Sequence, residues 1–209
     1  MKGTILMTFC VGLLLVSSVA AYGDSGLPRE VLAEINLART DPKGYAVFLR
    51  EFRRQFQGKA YRQPGSPLLV TTTEGVRAVD EAIRFLARQK PLSPLAWSDG
   101  LAAAAAELVA DEGESGETGH QGRKSGSPQK RIERHGKWQG EIGEGIGYGP
   151  DKARLMVMQL IIDDGVPDRG HRQSIFRSIY RTAGVACGPH PTYRNMCVVD
   201  YAVGFRERN

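Results

Sequence analysis

The chain has 209 residues, of which 41% are apolar and 24% are charged, and its formal net charge is +5. This composition is typical of a folded globular protein and excludes the disordered and fibrous classes. The length suits one domain, or at most two small ones, with a sizeable core.

The first twenty residues have the pattern of a secretory signal peptide. Lys2 precedes a short apolar core, which ends in the small residues 17–21, and this arrangement directs export. Cleavage after Ala20 would leave 189 residues and a charge of +4. We therefore expect a signal peptide over 1–20 and a secreted or periplasmic protein; an uncleaved N-terminal anchor is the alternative. No later apolar run is long enough to span a membrane.

Apolar spacing predicts four helices in the first half of the mature chain. The first covers residues 28–39. The second begins at Asp41-Pro42, ends near Gln57, and carries an aromatic face that we interpret as core (Tyr45, Phe48, Phe52 and Phe56). Residues 58–72 contain turn formers and are predicted to be a loop. The third helix follows a cap at Thr73, and the fourth, rich in alanine, follows Ser98-Asp99 and should be buried.

The second half is richer in glycine and in strand-like patterns. We expect a short helix near 128–135, a strand over 141–146 and a helix over 151–162. The chain closes with a hairpin that places Cys187 and Cys197 on facing strands. Since Cys10 leaves with the signal, this even pair favours a disulfide in an exported protein, the alternative being two reduced thiols. Helices followed by strands indicate one mixed α+β domain.

Ten of the 28 arginines and lysines form three clusters, which we interpret as solvated faces because acids are interleaved with them. No nucleic-acid recognition motif accompanies the charge, so nucleic acid is not an expected partner. The clusters are Arg50, Arg53 and Arg54; Lys130, Arg131 and Arg134; and Arg169, Arg172, Arg177 and Arg181.

All four histidines lie between residues 120 and 190, in a stretch that also contains several acids. His120 and His171 each stand beside glycine, and Glu144 lies between two glycines. Imidazoles and carboxylates can bind a divalent metal or carry out acid–base chemistry. Their spacing matches no established metal motif, so from spacing alone we favour histidines that are satisfied by local hydrogen bonds.

Five segments in order resemble the CAP superfamily, the group of cysteine-rich secretory, antigen 5 and pathogenesis-related 1 proteins that share the SCP domain. The likeness covers about residues 28–205 and is closer to bacterial members. Two features depart from the family pattern, namely Gly145 in place of Asn and an aliphatic end to the helix at 160–162. The matching segments are 95–102, Gly119-His120, Gly143-Glu144-Gly145-Ile146, Gly170-His171-Arg172 and 196–202.

The resemblance implies a three-layer α-β-α sandwich with a central cleft lined by two histidines and two acids. Carried over by motif, these are His120, Glu144 and His171, with Asp163 or Asp164 as the second acid; we assign Asp163. Some members of the family bind a divalent cation there, and we expect Zn²⁺ or Mg²⁺.

The resemblance also implies an extracellular module that binds lipid, sterol, a cell-envelope polymer or another small ligand. The alternative is a metal-assisted hydrolase or protease in which Glu144 acts as general base. Under a third interpretation, the four side chains only stabilise the core through hydrogen bonds. Whether the protein is an enzyme is left open by the sequence.

Overall fold

The computed structural model describes residues 26–62 and 69–208, so the predicted signal peptide lies outside the described residues. The elements in chain order are α1 (Leu27–Thr40), α2 (Pro42–Arg53), β1 (Phe56–Gln57), β2 (Ala60–Arg62), β3 (Leu69–Thr71), α3 (Val76–Arg88), β4 (Ala96–Trp97), α4 (Asp99–Ser115), α5 (Pro128–His135), β5 (Gly136–Tyr148), α6 (Ala153–Ile162), α7 (Gly170–Ile175), β6 (Thr182–His190) and β7 (Arg194–Glu207).

A four-stranded sheet in the order β4-β6-β7-β5 forms the middle layer. β4 pairs parallel to β6, and the other neighbours are antiparallel. Successive residues of a strand point to opposite faces, and β7 follows this rule. Its Val199 and Tyr201 join the core that contains α1, α2, α3 and α6, whereas Val198 and Ala202 pack toward α4 and α5. The predicted three-layer α-β-α sandwich is therefore confirmed.

The alanine-rich helix α4 packs closely on the sheet, as its composition predicted. Ser98 caps the helix by accepting a hydrogen bond from the Leu101 N–H at 3.2 Å, and Ala104 and Ala105 are fully buried. A side chain at Gly184 of β6 would collide with the Ala102 backbone. Small residues on both surfaces thus allow the helix and the strand to approach each other.

The predicted disulfide is confirmed. Cys187 of β6 and Cys197 of β7 are direct register partners in the hairpin. Their sulfurs are bonded, and their Cα atoms are 4.1 Å apart. The bridge fixes the two central strands to each other next to the hairpin turn.

The segment between α2 and α3 differs from its prediction. The second helix ends at Arg53 rather than near Gln57, and Phe56 starts a strand. β1, β2 and β3 form a small antiparallel sheet, where we expected the end of the helix followed by a loop over 58–72. Gly58, with φ of 63°, lies in the turn between β1 and β2, while Tyr61 and Val70 pair as strands.

Candidate functional site

A cleft of about 1040 Å³ is lined by both His120 and His171. Its walls come from the end of β5, from α6, from the tip of the β6–β7 hairpin and from the small β1–β3 sheet. The cleft has two chemically different parts. One contains the two imidazoles, and the other contains aromatic and aliphatic side chains.

The first histidine is paired with a buried glutamate. His120 Nδ1 lies 2.7 Å from Glu144 Oε1. The Glu144 side chain is only 2% exposed, whereas that of His120 is 55% exposed. Because an ionised carboxylate can only accept hydrogen bonds, the imidazole donates through Nδ1–H. Its Nε2 then carries the lone pair and is the atom available to a ligand in the cleft.

The second histidine has an equivalent partner, and the structure identifies which of the two candidate acids it is. His171 Nδ1 lies 2.7 Å from Asp163 Oδ1, and Asp163 Oδ2 accepts the His171 backbone N–H at 2.9 Å. Asp163 ends α6 in the left-handed conformation, with φ of 56°. Asp164 instead accepts backbone N–H groups of residues 73–75, so it supports the cleft wall and not an imidazole.

The two pairs reach the cleft from opposite faces of the edge strand β5. Glu144 and Gly145 are successive residues of this strand and therefore point to opposite sides. A Cβ at Gly145 would lie 3.7 Å from His171 Cδ2, which places the second imidazole against that side. Both histidines line the same cleft.

Arg131 supports the first pair from a buried position, although its basic cluster predicted a solvated face. That interpretation is wrong, because the Arg131 side chain is 0% exposed. Its guanidinium donates to Glu144 Oε2, to the Gly126 carbonyl and, at 3.3 Å, to the His120 carbonyl. Arg131 therefore forms a buried ion pair with Glu144 and fixes the backbone that carries His120.

Asp200 completes this buried cluster, and no motif in the sequence pointed to a role for it. It lies opposite Glu144 in the β5–β7 register and is fully buried, with no donor to either carboxylate oxygen among the described residues. Burial raises the pKa of Asp200 far above its usual value, and the nearby charge of Glu144 raises it further. This environment favours the protonated, uncharged form of the Asp200 carboxyl.

The Glu144 carboxylate also changes the ionisation of His120. The hydrogen bond to Glu144 raises the pKa of His120 above its ordinary value, against the opposing effect of burial. The loop before His120 is held by Tyr148, whose hydroxyl accepts the Gly119 N–H at 3.0 Å and donates to Glu112 at 2.7 Å. Burial raises the pKa of both Tyr148 and Glu112, so the Tyr148 hydroxyl keeps the proton that it donates to Glu112.

Arg169 and Arg172 hold the second pair in place. Both were predicted to belong to a solvated face, and this prediction is wrong for both. Arg169 donates to the Asp163 carbonyl at 2.7 Å and to Glu74 at 2.6 Å. Arg172 donates to the Ile161 carbonyl at 2.5 Å and to Glu81 at 2.9 Å. The Arg169 guanidinium lowers the pKa of Glu74 to about 2. These ion pairs tie the turn that carries Asp163 to α3.

The other two histidines have structural partners of their own. His135 contacts Glu107 with 2.6 Å between Nε2 and Oε1. His190 is 2% exposed, and its Nε2 lies 3.1 Å from the Glu117 carbonyl. For these two, the interpretation that local hydrogen bonds satisfy the ring is the one that fits.

The aromatic face that was predicted for the second helix does not belong to the core alone. Tyr45 and Leu49 are buried in the core as expected, but Phe52 and Phe56 also line the cleft. Their ring centroids are 5.2 Å apart, and Tyr61 packs 4.7 Å from Phe52. The aromatic face is thus shared between the core and the cleft wall.

These contacts change the roles within the predicted metal set. Among the residues that the structure describes, no group of three or more histidine, cysteine, aspartate or glutamate side chains is arranged to hold a metal ion. Glu144 and Asp163 instead bind the Nδ1 atoms of His120 and His171. This is the carboxylate–histidine arrangement that orients imidazole ligands in metal sites. The metal site stays a prediction, with two Nε2 atoms as its protein ligands.

The family model described as the cysteine-rich secretory protein family, CAP, matches residues 32–201. This chain belongs to the CAP family. The CAP match covers the sheet, the cleft and both histidine pairs. A comparison with curated proteins found no match. Among the described residues, no helix of this CAP protein combines the length and the apolar character needed to cross a membrane.

Several solved structures are similar to this CAP protein at low identity. An extracellular protein with an SCP domain from Bacillus anthracis is 15% identical with a TM-score of 0.43, over 61% of this chain and 38% of that one. An outer surface protein from Borrelia burgdorferi is 18% identical with a TM-score of 0.44, over 56% and 80%. A cysteine-rich secretory protein from Staphylococcus aureus is 14% identical with a TM-score of 0.39, over 61% and 37%. The chain thus spans well under half of the Bacillus and Staphylococcus proteins.

Proposed function

We propose that this CAP protein is an extracytoplasmic binding module whose cleft takes a small ligand with an apolar part, such as a lipid. The observation that carries the proposal is the pair of imidazoles, each oriented by a buried carboxylate, in one cleft with an aromatic part. Clefts that combine apolar walls with a few fixed polar groups are typical small-molecule sites.

The His120 and His171 Nε2 atoms are the anchor for a divalent cation or for a polar group of the ligand. Of the two expected cations, Zn²⁺ suits imidazole nitrogens, whereas Mg²⁺ prefers oxygen ligands. Two nitrogens leave the coordination of Zn²⁺ incomplete. Water or the ligand itself would therefore complete it.

Equilibrium dialysis against Zn²⁺ tests the anchor. The wild-type protein should take up one ion. His120→Ala and His171→Ala should each reduce the affinity for Zn²⁺ by about tenfold or more, because loss of a residue that only orients a ligand already has an effect of this size. His135→Ala is the matched control because this ring contacts Glu107 away from the cleft. Undiminished uptake by both cleft variants would remove the histidines from the proposal.

The apolar part of the cleft is tested with a fluorescent acyl probe such as cis-parinaric acid. We expect the wild type to bind it and Phe56→Ala to weaken binding by about tenfold, the scale set by burying an aromatic side chain. Val47→Ala provides the control, since Val47 is 46% exposed on α2 and lies outside the cleft lining. Equal affinity of the Phe56 variant and the wild type would count against an apolar ligand.

The metal-assisted hydrolase is the weaker candidate. The Glu144 side chain is 2% exposed, and each of its oxygens already accepts a hydrogen bond, one from His120 and one from Arg131, so Glu144 is poorly placed to take a proton from water. We expect no cleavage when the protein is incubated with a mixed peptide library, with Zn²⁺ or with a chelator. Chelator-sensitive cleavage that is lost in His120→Ala would reverse this preference.

A further inference from the structure

The mouth of the cleft has a rim formed by two segments that the proposed function does not use. One is the start of β7, and the other follows β5. We propose that this rim is a subsite for a pyranose ring of a glycan chain. The proposal rests on the cleft as a binding site but does not require a cation at the histidines. The rim consists of Tyr193, Arg194, Asn195, Asp151 and Lys152.

Tyr193 presents an aromatic ring to the cleft. Its exposed fraction is 46%, and it lines the cleft. The other large apolar side chains that are exposed in the described residues stand outside the cleft lining; they are Leu37, Val47, Leu69 and Ile179. An exposed ring with an apolar face and a polar hydroxyl suits a ligand that is itself both apolar and polar.

The position of Tyr193 is fixed before any ligand binds. Buried His190 accepts the backbone N–H groups of Thr192 at 3.2 Å and Tyr193 at 3.3 Å. The Tyr193 ring also packs 5.1 Å from His190 and 5.2 Å from Tyr148 between ring centroids. A contact surface that is already ordered loses little conformational entropy on binding, which favours affinity.

Arg194 follows in a backbone conformation that favours glycine. Its φ is 74°, and a residue with a side chain is less stable than glycine in this left-handed region. The fold alone would therefore be satisfied by glycine. The arginine instead adds a guanidinium at the cleft rim, where it can serve a ligand.

The groups around Tyr193 have unused hydrogen-bonding capacity. Asp151, Lys152 and Arg194 are exposed, and none of the three forms an ion pair in the part of the chain that the structure describes. They offer one acceptor group and two donor groups. Asn195 is held beside them by a contact from its amide to the Gly149 carbonyl at 3.4 Å.

This combination fits a sugar better than an apolar partner. The C–H face of a pyranose can pack on the Tyr193 ring, while its hydroxyls need donors and acceptors around the ring edge. An apolar partner would remove water from Asp151, Lys152 and Arg194 without replacing their hydrogen bonds, which is unfavourable. The rim therefore favours a polyhydroxylated chain.

Isothermal titration of the chelated full chain with hexamers of N-acetylglucosamine, glucose and galacturonic acid tests the proposal. We expect at least one hexamer to bind, Tyr193→Ala to weaken it by about tenfold or more, and Tyr193→Phe to stay within about twofold because the ring face is kept. Arg194→Gly should weaken binding with a melting temperature equal to or above that of the wild type, because glycine is favoured at this φ. Ile179→Ala, an equally exposed apolar residue elsewhere, should bind as the wild type does.

Two results would overturn the subsite. One is that no hexamer binds at millimolar concentration, and the other is that binding survives Tyr193→Ala. Vesicles of phosphatidylglycerol should show no Tyr193-dependent binding; such binding without any saccharide binding would replace the glycan by a lipid headgroup. Zn²⁺ uptake by Tyr193→Ala should equal that of the wild type, so failure here is distinguishable from failure of the histidine anchor.

Discussion

At the scale of single residues, the site depends on the protonation of a few buried side chains. Glu144 accepts hydrogen bonds from His120 and Arg131, and a neutral Asp200 lies across from it. One positive charge cannot compensate two carboxylates in a buried cluster, so one of them keeps its proton. Arg131 contacts Glu144, whereas Asp200 has no donor among the described residues and has the raised pKa, so we expect Asp200 to be the carboxyl that keeps its proton.

Asp200→Asn should therefore stabilise the protein at neutral pH. Because the folded pKa of Asp200 is raised, the native state loses stability as pH rises above the unfolded pKa of about 3.9. The amide of asparagine is uncharged and carries N–H donors at every pH, so the variant does not depend on uptake of a proton at this position. Urea unfolding should show a gain of about 1–3 kcal/mol at pH 7 and a smaller gain at pH 4.

Asp151→Asn is the control for this measurement, since Asp151 is exposed and its replacement should change the free energy of unfolding by less than about 0.5 kcal/mol. A destabilised Asp200→Asn protein with the same deficit at both pH values would show that Asp200 is ionised in the fold.

The pKa of His120 is the second prediction at this scale. Because the Glu144 carboxylate raises this pKa, Glu144→Gln should lower it, while Glu107→Gln should leave it unchanged. Protonated His120 stabilises the fold below about pH 6.5, and this contribution disappears as pH rises through the raised folded value. NMR titration of the chelated proteins would measure the shift, and an equal His120 pKa in wild type and Glu144→Gln would contradict the pairing.

At the scale of elements, α5 has a larger role than its eight residues suggest. Arg131 points inward beneath the first histidine pair, while Arg134 on the same helix makes an ion pair with Glu107 at the surface. Breaking a buried ion pair leaves an uncompensated charge, whereas an exposed pair contributes little. The two arginines are therefore a matched comparison.

We predict that Arg131→Met lowers the free energy of unfolding by about 3–5 kcal/mol and Arg134→Met by less than about 1 kcal/mol. Urea denaturation of both variants measures the difference. Similar small losses in the two variants would mean that Arg131 is accessible to water and does not hold Glu144.

The sequence predicted some elements well and others poorly, for identifiable physical reasons. The cap at Ser98 and the alanine pattern of α4 are local signals, and both are seen. No local pattern distinguishes the role of Asp163 from that of Asp164, because these roles depend on the left-handed residue that ends α6. Residues 58–72, which contain β2 and β3, were predicted as a loop because glycine and proline dominate the pattern and the strand segments are short.

At the scale of the whole molecule, the candidate site depends on contacts between distant parts of the chain. The motif resemblance predicted His120, Glu144, Asp163 and His171 by residue number, and the structure joins them as two pairs. Asp200 lies next to Glu144 because of the β5–β7 register, and no local pattern in the sequence specifies this register. Its one visible signal was an acid within the apolar strand 196–202.

The central claim is that two carboxylate-oriented histidines act together as one site through their Nε2 atoms. The most direct measurement is a Zn²⁺ titration followed by ¹⁵N NMR of the histidine rings. We predict that the Nε2 signals of His120 and His171 shift together at one equivalent, while His135 and His190 stay unchanged. A shift of only one cleft histidine, or of neither, would contradict the account.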